Sequence, residues 1–490
     1  MKRSCGVLLA LSSLPGPYGI GTMGKGAYRF AEKLARAGQS LWQVLPLSPA
    51  GMGNSPYQSV SAFAGSPDLI DFELLYEDGL LTRDELASCA EAFKSCSPEA
   101  ADYEAQKRLR PALLLPAYEK AKDIFSSQMK DFAYENAFWI HDYALFMALS
   151  ERFGTTQLSS WPEDIRLRDG AALIKAAAEN RDRIGYYIFE QFIFCRQWAR
   201  LKAYANSLGI SIIGDMPFYV SGDSADRWAN SGIFDREGRV AGCPPDYFSP
   251  EGQLWGNPVY DWDAMHADGY GWWMRRIGFQ LDKFDILRID HFRGFEAYYS
   301  IPAGAQSAAA GRWNEGPGDS FIDALRARFD MSRFIAEDLG TLTDSFFSFM
   351  SRCGLPGLKV LQFAFEPDAD SIYLPHHHTE NSVVYTGTHD NDTVLGWYMG
   401  ADRKNLAFAR EYLGPLNRNN VCAAFIRCAY MSCARMCVIP AQDLLGLGNE
   451  ARMNTPSTVS SKNWAWRMKE DAFDESLCSR LARLARTYGR

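Results

Sequence analysis

Short apolar runs alternate along this chain with segments that have a helical pattern. Eight such runs end in polar or Gly/Pro-rich sequence: GVLLAL (6–11), LWQVLPL (41–47), ISIIGDMP (210–217), ILRID (286–290), RFIAEDLG (333–340), LKVLQF (358–363), VVYTGTHD (383–390) and MCVIPAQD (436–443). Between several of them, segments such as GAYRFAEKLARAG (26–38) repeat apolar positions at the spacing of an amphipathic helix. Continuous apolar strands that alternate with helices predict a parallel sheet covered on its outer face.

Eight strand–helix units fit a closed (β/α)₈ barrel, so we predict an α/β fold of the TIM-barrel type with large helical insertions in its loops. A doubly wound open sheet is the alternative, but it would have fewer strands and a nucleotide fingerprint. We expect one catalytic barrel over residues 1–490. A mainly helical insertion at 58–208 would separate the second and third strands, and an irregular lid loop at 236–262 would follow the third.

Acidic residues stand at the carboxyl ends of four predicted strands. Asp215 ends the third run, Asp290 the fourth, Glu337 and Asp338 the fifth, and Asp390 the seventh. In a barrel these ends share one rim, where catalytic groups collect. A single aspartate there is more often a helix cap, but four together indicate a site with perturbed pKa values. A pair made of one ionised and one protonated carboxyl group is the equipment for glycosidic bond chemistry.

Within ILRID, strand alternation places Arg288 and Asp290 on the same face, roughly 7 Å apart along the strand. If Ile289 packs outward against helices, both polar groups face the barrel interior. We expect the guanidinium of Arg288 to lower the pKa of Asp290 and hold it ionised. His291 and His389 accompany these acids in sequence.

Composition argues against some classes of binding partner and indicates a cellular compartment. The net charge of -8 argues against a nucleic-acid partner, and 13 Trp, 23 Tyr and 30 Phe suit stacking on ring-shaped ligands. Eleven scattered Cys predict reduced thiols in a cytoplasmic protein. The start MKRSCGVLLALSSLPG imitates a signal peptide but has a short apolar part, so we favour a buried strand. No segment has the ~20 apolar residues that span a bilayer.

Two motifs suggest other chemistry and are set aside. GIGTMG (19–24) matches the dinucleotide pattern, but it lies eight residues beyond the apolar run and after a Pro-containing loop, which favours a flexible rim loop. His376–His378 could suggest a metal, but the three histidines have no spaced partner motif and follow Pro375. Neither motif therefore indicates a cofactor site.

The longer motifs resemble a known family. They are NSPYQS (54–59), GDMPFYV (214–220), SADRWAN (224–230), CPPDYFSPEGQLWGNPVYDW (243–262), LRIDHFRG (287–294), AEDLG (336–340), YLPHHH (373–378), THDNDT (388–393) and NWAWR (463–467). In this order they are similar to the 4-α-glucanotransferases, the amylomaltases or disproportionating enzymes of glycoside hydrolase family 77. The resemblance extends over essentially the whole chain and is weakest from about 81 to 180.

The resemblance implies a role for each matching residue, and it implies that no metal and no organic cofactor is needed. Asp290 would be the nucleophile, Glu337 the general acid/base and Asp390 the transition-state stabiliser. Substrate would be bound by Ser55, Tyr57, Asp215, Asp246, Tyr247, Phe248, Gln253, Trp255, Arg288, His291, His389, Asn391 and Asn463. Of these, Tyr57 would stack on the glucose at the cleaved bond, Asp215, His291 and His389 would bond sugar hydroxyls, and Trp255 would cover the acceptor side with the Asp246–Gln253 loop.

Three functions are consistent with these residues. The first is a retaining transferase of 1,4-α-glucans that uses maltooligosaccharides as donor and acceptor, with Asp290 and Glu337 about 5–5.5 Å apart and Glu337 having the higher pKa. The second is a glucan hydrolase with an open acceptor side. The third is a non-catalytic glucan-binding protein, against which the intact acids count. The sequence does not predict an oligomeric state.

Overall fold

The computed structural model of the chain describes residues 3–245, 251–340 and 342–490. Twelve strands occur in that part of the chain: β1 Ser4–Leu8, β2 Leu41–Gln43, β3 Ser211–Met216, β4 Val240–Cys243, β5 Gln253–Pro258, β6 Ile286–Ile289, β7 Ala297–Ile301, β8 Arg312–Glu315, β9 Phe334–Ala336, β10 Gly357–Val360, β11 Ser382–Tyr385 and β12 Met436–Pro440.

The α-helices of the described residues lie between these strands and at the end of the chain. They are α1 Lys25–Arg36, α2 Phe72–Glu77, α3 Arg83–Ala92, α4 Tyr103–Ile124, α5 Ser126–Glu135, α6 Ile140–Phe153, α7 Glu163–Arg166, α8 Gly170–Glu179, α9 Arg181–Ser207, α10 Ala225–Ala229, α11 Trp262–Ala267, α12 Gly271–Lys283, α13 Gly318–Arg328, α14 Asp344–Cys353, α15 Val394–Gly400, α16 Arg403–Leu413, α17 Val421–Met431, α18 Ala441–Leu444 and α19 Glu475–Tyr488. None of these helices has the length and apolar character needed to cross a membrane.

Eight strands form one parallel sheet in the order β10-β11-β12-β1-β2-β3-β6-β9. Each contains part of one of the eight apolar runs, so the predicted (β/α)₈ barrel is confirmed. Within the described residues, β9 and β10 share no strand ladder. The barrel closes there through the Ala336 N–H, which donates to the Pro356 carbonyl at 3.0 Å.

Burial explains why these segments form strands with helices outside them. β2, β9, β11 and β12 are buried at every position, as expected of strands covered on both faces. Helix α1 buries Ala27, Phe30, Ala31 and Leu34, which form one stripe at helical spacing. Gly214 in β3 is required by packing, because a Cβ there would lie 2.1 Å from the ring of Phe284.

The chain between β2 and β3 contains helices α2–α9. The predicted helical insertion at 58–208 covers this region, and α9 leads from it back into the barrel. Its long helices pack on one another through rings such as Tyr118 and Phe189, whose centroids lie 5.6 Å apart. Glu190 of α9 is buried in this packing, and burial raises its pKa to about 8 although a Tyr186 hydrogen bond works against the rise.

The segment at 236–262 differs from the expected irregular loop. It contains β4 and β5, which pair antiparallel and join β7 and β8 in a sheet of order β5-β4-β7-β8. The Gly- and Pro-rich sequence concealed these strands because they are short and because β4 also pairs with β7, about 60 residues further along the chain. Within this sheet β5 is an edge strand, and Gly252 before it has φ 68°.

Replacing the buried acid Glu190 by Gln should stabilise the protein at alkaline pH. Because the folded-state pKa is above the unfolded value, folding keeps the group protonated, and stability declines as pH rises from about 4 towards 8. We expect Glu190→Gln to raise the free energy of unfolding at pH 8 by on the order of 3 kcal/mol and to change it little near pH 4. Thermal unfolding at both pH values measures this, with exposed Glu135→Gln as control; equal shifts at both would contradict it.

Candidate active site

Three acids come from three neighbouring strands of the barrel. Asp215 lies in β3, Asp290 directly follows β6 and Glu337 directly follows β9, and these strands are adjacent in the order β3-β6-β9. Asp390 lies in the loop that begins after β11. In parallel strands the carboxyl ends meet at one rim, so the topology gathers these side chains at one mouth of the barrel.

The Arg288 side chain, 4% exposed, links two of these acids. Its Nη1 donates to Asp215 Oδ1 at 2.6 Å and to Asp290 Oδ1 at 3.0 Å. The predicted pairing of Arg288 with Asp290 across one strand face is therefore confirmed. Asp215 also accepts the Tyr57 hydroxyl through Oδ2 at 2.8 Å, and its side chain is fully buried. Contact between Asp215 and a sugar, as the sequence led us to expect, would require these bonds to break.

Glu337 is held by two backbone donors rather than by a cation. His291 N–H donates to Oε2 at 2.7 Å, and Leu339 N–H donates to Oε1 at 2.9 Å. His291 has φ 46° and ψ 47°, a left-handed conformation that is uncommon outside glycine. Because His291 follows Asp290 directly, this contact also brings the acid of β9 beside the acid of β6. This contact does not give the distance between the Asp290 and Glu337 carboxyl groups, so the predicted separation of about 5–5.5 Å stays a prediction.

The two acids have different proton affinities. Burial raises the pKa of Glu337 to about 8, and the charge of Asp290 adds to the rise. Burial also raises the pKa of Asp290 to about 6, although Arg288 opposes it. Glu337 therefore has the higher pKa, as predicted. The charge of Arg288 lowers the pKa of Asp290, as expected, but the cost of removing the carboxylate from water is larger, so the pKa is raised overall.

Asp390 is kept ionised by its neighbours. Burial would raise its pKa, but the charge of His389 and hydrogen bonds from His389 and Asn454 outweigh it, and the pKa falls to about 2. His389 Nε2 lies 3.2 Å from Asp390 Oδ2, and Asn454 Nδ2 donates to Oδ1 at 2.6 Å. Arg452 holds the backbone of the same loop by donating to the Asp390 carbonyl at 2.5 Å and to the Asp392 side chain.

Aromatic rings line the site beside these acids. Tyr57 stacks on His389 with centroids 5.2 Å apart and planes at 16°, and Trp464 lies 5.6 Å from Tyr57. On the side of Glu337, Trp255 meets His291 edge-on at 5.0 Å. Burial lowers the pKa of His291 to about 4, helped by the charge of Arg293, so that ring is neutral near pH 7. Neutral donors and ring faces suit a polyhydroxylated, uncharged ligand.

The remaining predicted binding residues are placed unevenly. Asp246, Tyr247 and Phe248 lie outside the described residues. Ser55 accepts the Tyr57 N–H at 3.3 Å and Gln253 accepts the Trp255 indole N–H at 3.0 Å, so both support a ring of the site.

Two predicted amides have internal partners. Asn391 accepts the N–H and the hydroxyl of Thr388. Asn463 is buried, accepts the Thr455 N–H and donates to Thr458, so it holds its own loop. A direct sugar bond from Asn463 would require this loop to rearrange.

Sequence reasoning missed three residues of this site. Asn454 and Arg452 bind the Asp390 loop, and Trp464 packs against both Tyr57 and His389. Trp464 lies within the motif NWAWR, which was noted for Asn463. Nothing in the local sequence around Arg452 and Asn454 indicated contact with residues about 60 positions earlier.

The arrangement can perform acid–base and nucleophilic chemistry on a neutral ligand. It offers an acid of raised pKa, a neighbouring carboxylate bound by a guanidinium, and a third carboxylate of low pKa. Among residues 3–245, 251–340 and 342–490, no group of three or more His, Cys, Asp or Glu side chains could hold a metal ion.

Known proteins resemble this chain over its length. A family model described as 4-alpha-glucanotransferase matches residues 9–472. A 4-alpha-glucanotransferase of Streptococcus pneumoniae serotype 4 is 44% identical and covers 100% of this chain and 98% of its own length. Its counterpart in Thermus thermophilus is 43% identical, covering 96% of this chain and 95% of its own. The solved amylomaltase from Streptococcus agalactiae in complex with acarbose matches with TM-score 0.96 and 37% identity, covering 100% of both chains.

Removing the side-chain amide that Asn454 donates to Asp390 should slow catalysis. A hydrogen bond to a charged group contributes about 1.5–3 kcal/mol, so Asn454→Leu should lower kcat by roughly tenfold or more. Steady-state kinetics on an oligosaccharide substrate measures the loss. Asn381→Leu is the matched control, since that amide donates to the Gly354 carbonyl on the surface. Equal rates in both variants would show that Asn454 does not support Asp390.

Proposed function

Because the chain belongs to the 4-alpha-glucanotransferase family, we propose that Asp290, Glu337 and Asp390 carry out the reaction of that family here. The chain is a glycosyl-transferring enzyme with 1,4-α-glucans as substrates. The acarbose bound to the similar amylomaltase supports a sugar site in the same fold. Maltooligosaccharides as both donor and acceptor, and a cytoplasmic location, are part of the proposal; the scattered cysteines of the sequence support the latter.

In the first step, the Asp290 carboxylate attacks the anomeric carbon of the donor. The C1–O bond to the leaving sugar breaks, and Glu337 gives its proton to the departing oxygen. A covalent glycosyl ester on Asp290 results. Because its pKa is raised, Glu337 is protonated near neutral pH and can give up that proton. Asp290 has the lower pKa and is ionised at the same pH.

In the second step, the 4-hydroxyl of an acceptor glucan attacks the same carbon. Glu337, now a carboxylate, accepts the hydroxyl proton, and the ester bond to Asp290 breaks as the new C1–O4 bond forms. Two displacements retain the anomeric configuration. Asp390, ionised by His389 and Asn454, is proposed to stabilise the positive charge that develops on the sugar ring.

The contact between the His291 N–H and Glu337 supports this assignment most strongly. The contact brings Glu337 beside the residue that follows Asp290, while Arg288 binds Asp290 from the opposite direction along the strand. For binding, we propose Tyr57 and His389 for the donor ring and His291 and Trp255 for the acceptor side. The predicted Asp246, Tyr247 and Phe248 stay with that acceptor loop as expectations.

Incubation with maltotriose tests the proposed transfer. We expect a ladder of longer oligosaccharides together with glucose, because an acceptor sugar captures the glycosyl group. Chromatography resolves the products, and net new reducing ends report hydrolysis. Asp290→Asn should form no ladder and no covalent adduct. Shortening to glucose and maltose alone would make the enzyme a hydrolase instead.

The different pKa values of Asp290 and Glu337 predict a bell-shaped dependence of activity on pH. kcat/KM should rise as Asp290 ionises near pH 6 and fall as Glu337 loses its proton near pH 8.

Glu337→Gln should lower activity on glucans by about 100- to 10,000-fold. The same variant should keep the first-step release of fluoride from α-glucosyl fluoride, because fluoride leaves without protonation, and its pH profile should lose the fall near pH 8. Asp338→Asn is the neighbouring control, because that carboxylate accepts the Leu358 N–H. Equal loss on both substrates would remove Glu337 from the acid role.

A further inference from the structure

Gln58 and Asn257 join two parts of the site through a reciprocal pair of side-chain amides. Gln58 Nε2 donates to Asn257 Oδ1 at 3.1 Å, and Asn257 Nδ2 donates to Gln58 Oε1 at 3.4 Å. Asn257 is 5% exposed and also donates to the Val220 carbonyl at 2.8 Å. Because a buried amide without partners is costly, the two side chains hold each other in one arrangement.

The two amides belong to segments with different proposed roles. Gln58 directly follows Tyr57, which stacks on His389 at the donor side. Asn257 lies in β5, two residues after Trp255. Gln58 Nε2 also lies 3.4 Å from the Trp255 carbonyl, so one side chain contacts both the partner amide and the backbone that carries the acceptor-side ring.

The position of β5 depends on such contacts because it is an edge strand. Its ladder partner is β4, in a small sheet separate from the barrel sheet. Its outer edge therefore has no strand partner in the described structure, and the Gln58 amide adds a bond to the Trp255 carbonyl and one to the Asn257 side chain. Trp255 in turn meets His291 edge-on, and the His291 N–H binds Glu337. Gln58 thus connects the segment of Tyr57 to the residues around Glu337.

We propose that the Gln58–Asn257 pair determines how the glycosyl-enzyme divides between an acceptor sugar and water. This inference rests on the proposed function, specifically on Trp255 lying at the acceptor side. Both outcomes break the same ester bond to Asp290 and deliver one proton to Glu337. Transfer forms a C1–O4 bond with the acceptor, whereas hydrolysis forms a C1–O bond with water. The pair acts as a positioning device and touches no reacting atom.

Positioning distinguishes these two outcomes. A sugar hydroxyl reaches the anomeric carbon in line only if the ring that carries it is held, and misplacement by 1 Å can cost roughly 100-fold. A water molecule needs no such platform. Loosening β5 relative to Tyr57 should therefore slow capture by sugar more than capture by water, and the ratio of transfer to hydrolysis should fall.

The test compares Gln58→Met and Asn257→Leu with the wild type as full chains. Each is incubated with maltotriose and labelled glucose; label entering oligosaccharides measures transfer, and net new reducing ends measure hydrolysis. Gln280→Met is the matched control. The Gln280 amide donates to the Ala62 carbonyl at 3.1 Å, and in the described structure it forms no hydrogen bond with Gln58 or β5. The ratio does not change with the amount of folded enzyme, since both products come from one intermediate.

We expect the transfer-to-hydrolysis ratio to fall roughly tenfold in both site variants and to stay at the wild-type value in Gln280→Met. Should Asn257→Leu fail to fold, half-buried Gln58→Met decides alone. An unchanged ratio with lower total turnover would overturn the inference, as would an equal fall in Gln280→Met. Absence of both label incorporation and covalent adduct in the wild type would instead refute the proposed function.

Discussion

A buried guanidinium is the constraint on which the rest of the site depends. Arg288 lies inside the barrel with 4% of its side chain exposed, and such a charge is tolerable only with close anionic partners. Asp215 and Asp290 supply them from adjacent strands, and Asp215 extends the network to the Tyr57 hydroxyl. One cation therefore sets the position of Asp290, the proposed nucleophile, and, through Asp215, that of the Tyr57 ring.

The pKa of each acid in the site depends on the groups that contact it. Burial acts on Asp290, Glu337 and Asp390 alike, and their pKa values separate because their neighbours differ. Glu337 has two backbone N–H donors and a nearby anion, Asp290 has the guanidinium, and Asp390 has an imidazole and an amide. A gradient of acidity thus arises among three carboxyl groups at one mouth of the barrel.

The sequence predicted the barrel well because its buried parallel strands are local apolar runs. It also placed Arg288 and Asp290 on one face, since strand alternation is a local property. It could not show β4 and β5, which are short and whose sheet is completed by the distant strand β7, or Asn454 and Trp464, which reach the site only through the folded chain. The pKa of Asp290 was misjudged because burial is a property of the whole structure, whereas the charge of Arg288 is visible in the sequence.

The seam between β9 and β10 has a consequence for how the barrel wall and the paired acids depend on each other. Ala336, whose N–H bonds across this seam, immediately precedes Glu337. On its other side β9 pairs with β6, and the Glu337 N–H donates to the Ile289 carbonyl at 3.0 Å, so the spacing between Asp290 and Glu337 is set by that ladder. An opening of the wall at the seam would therefore leave both acids on the same side of the break.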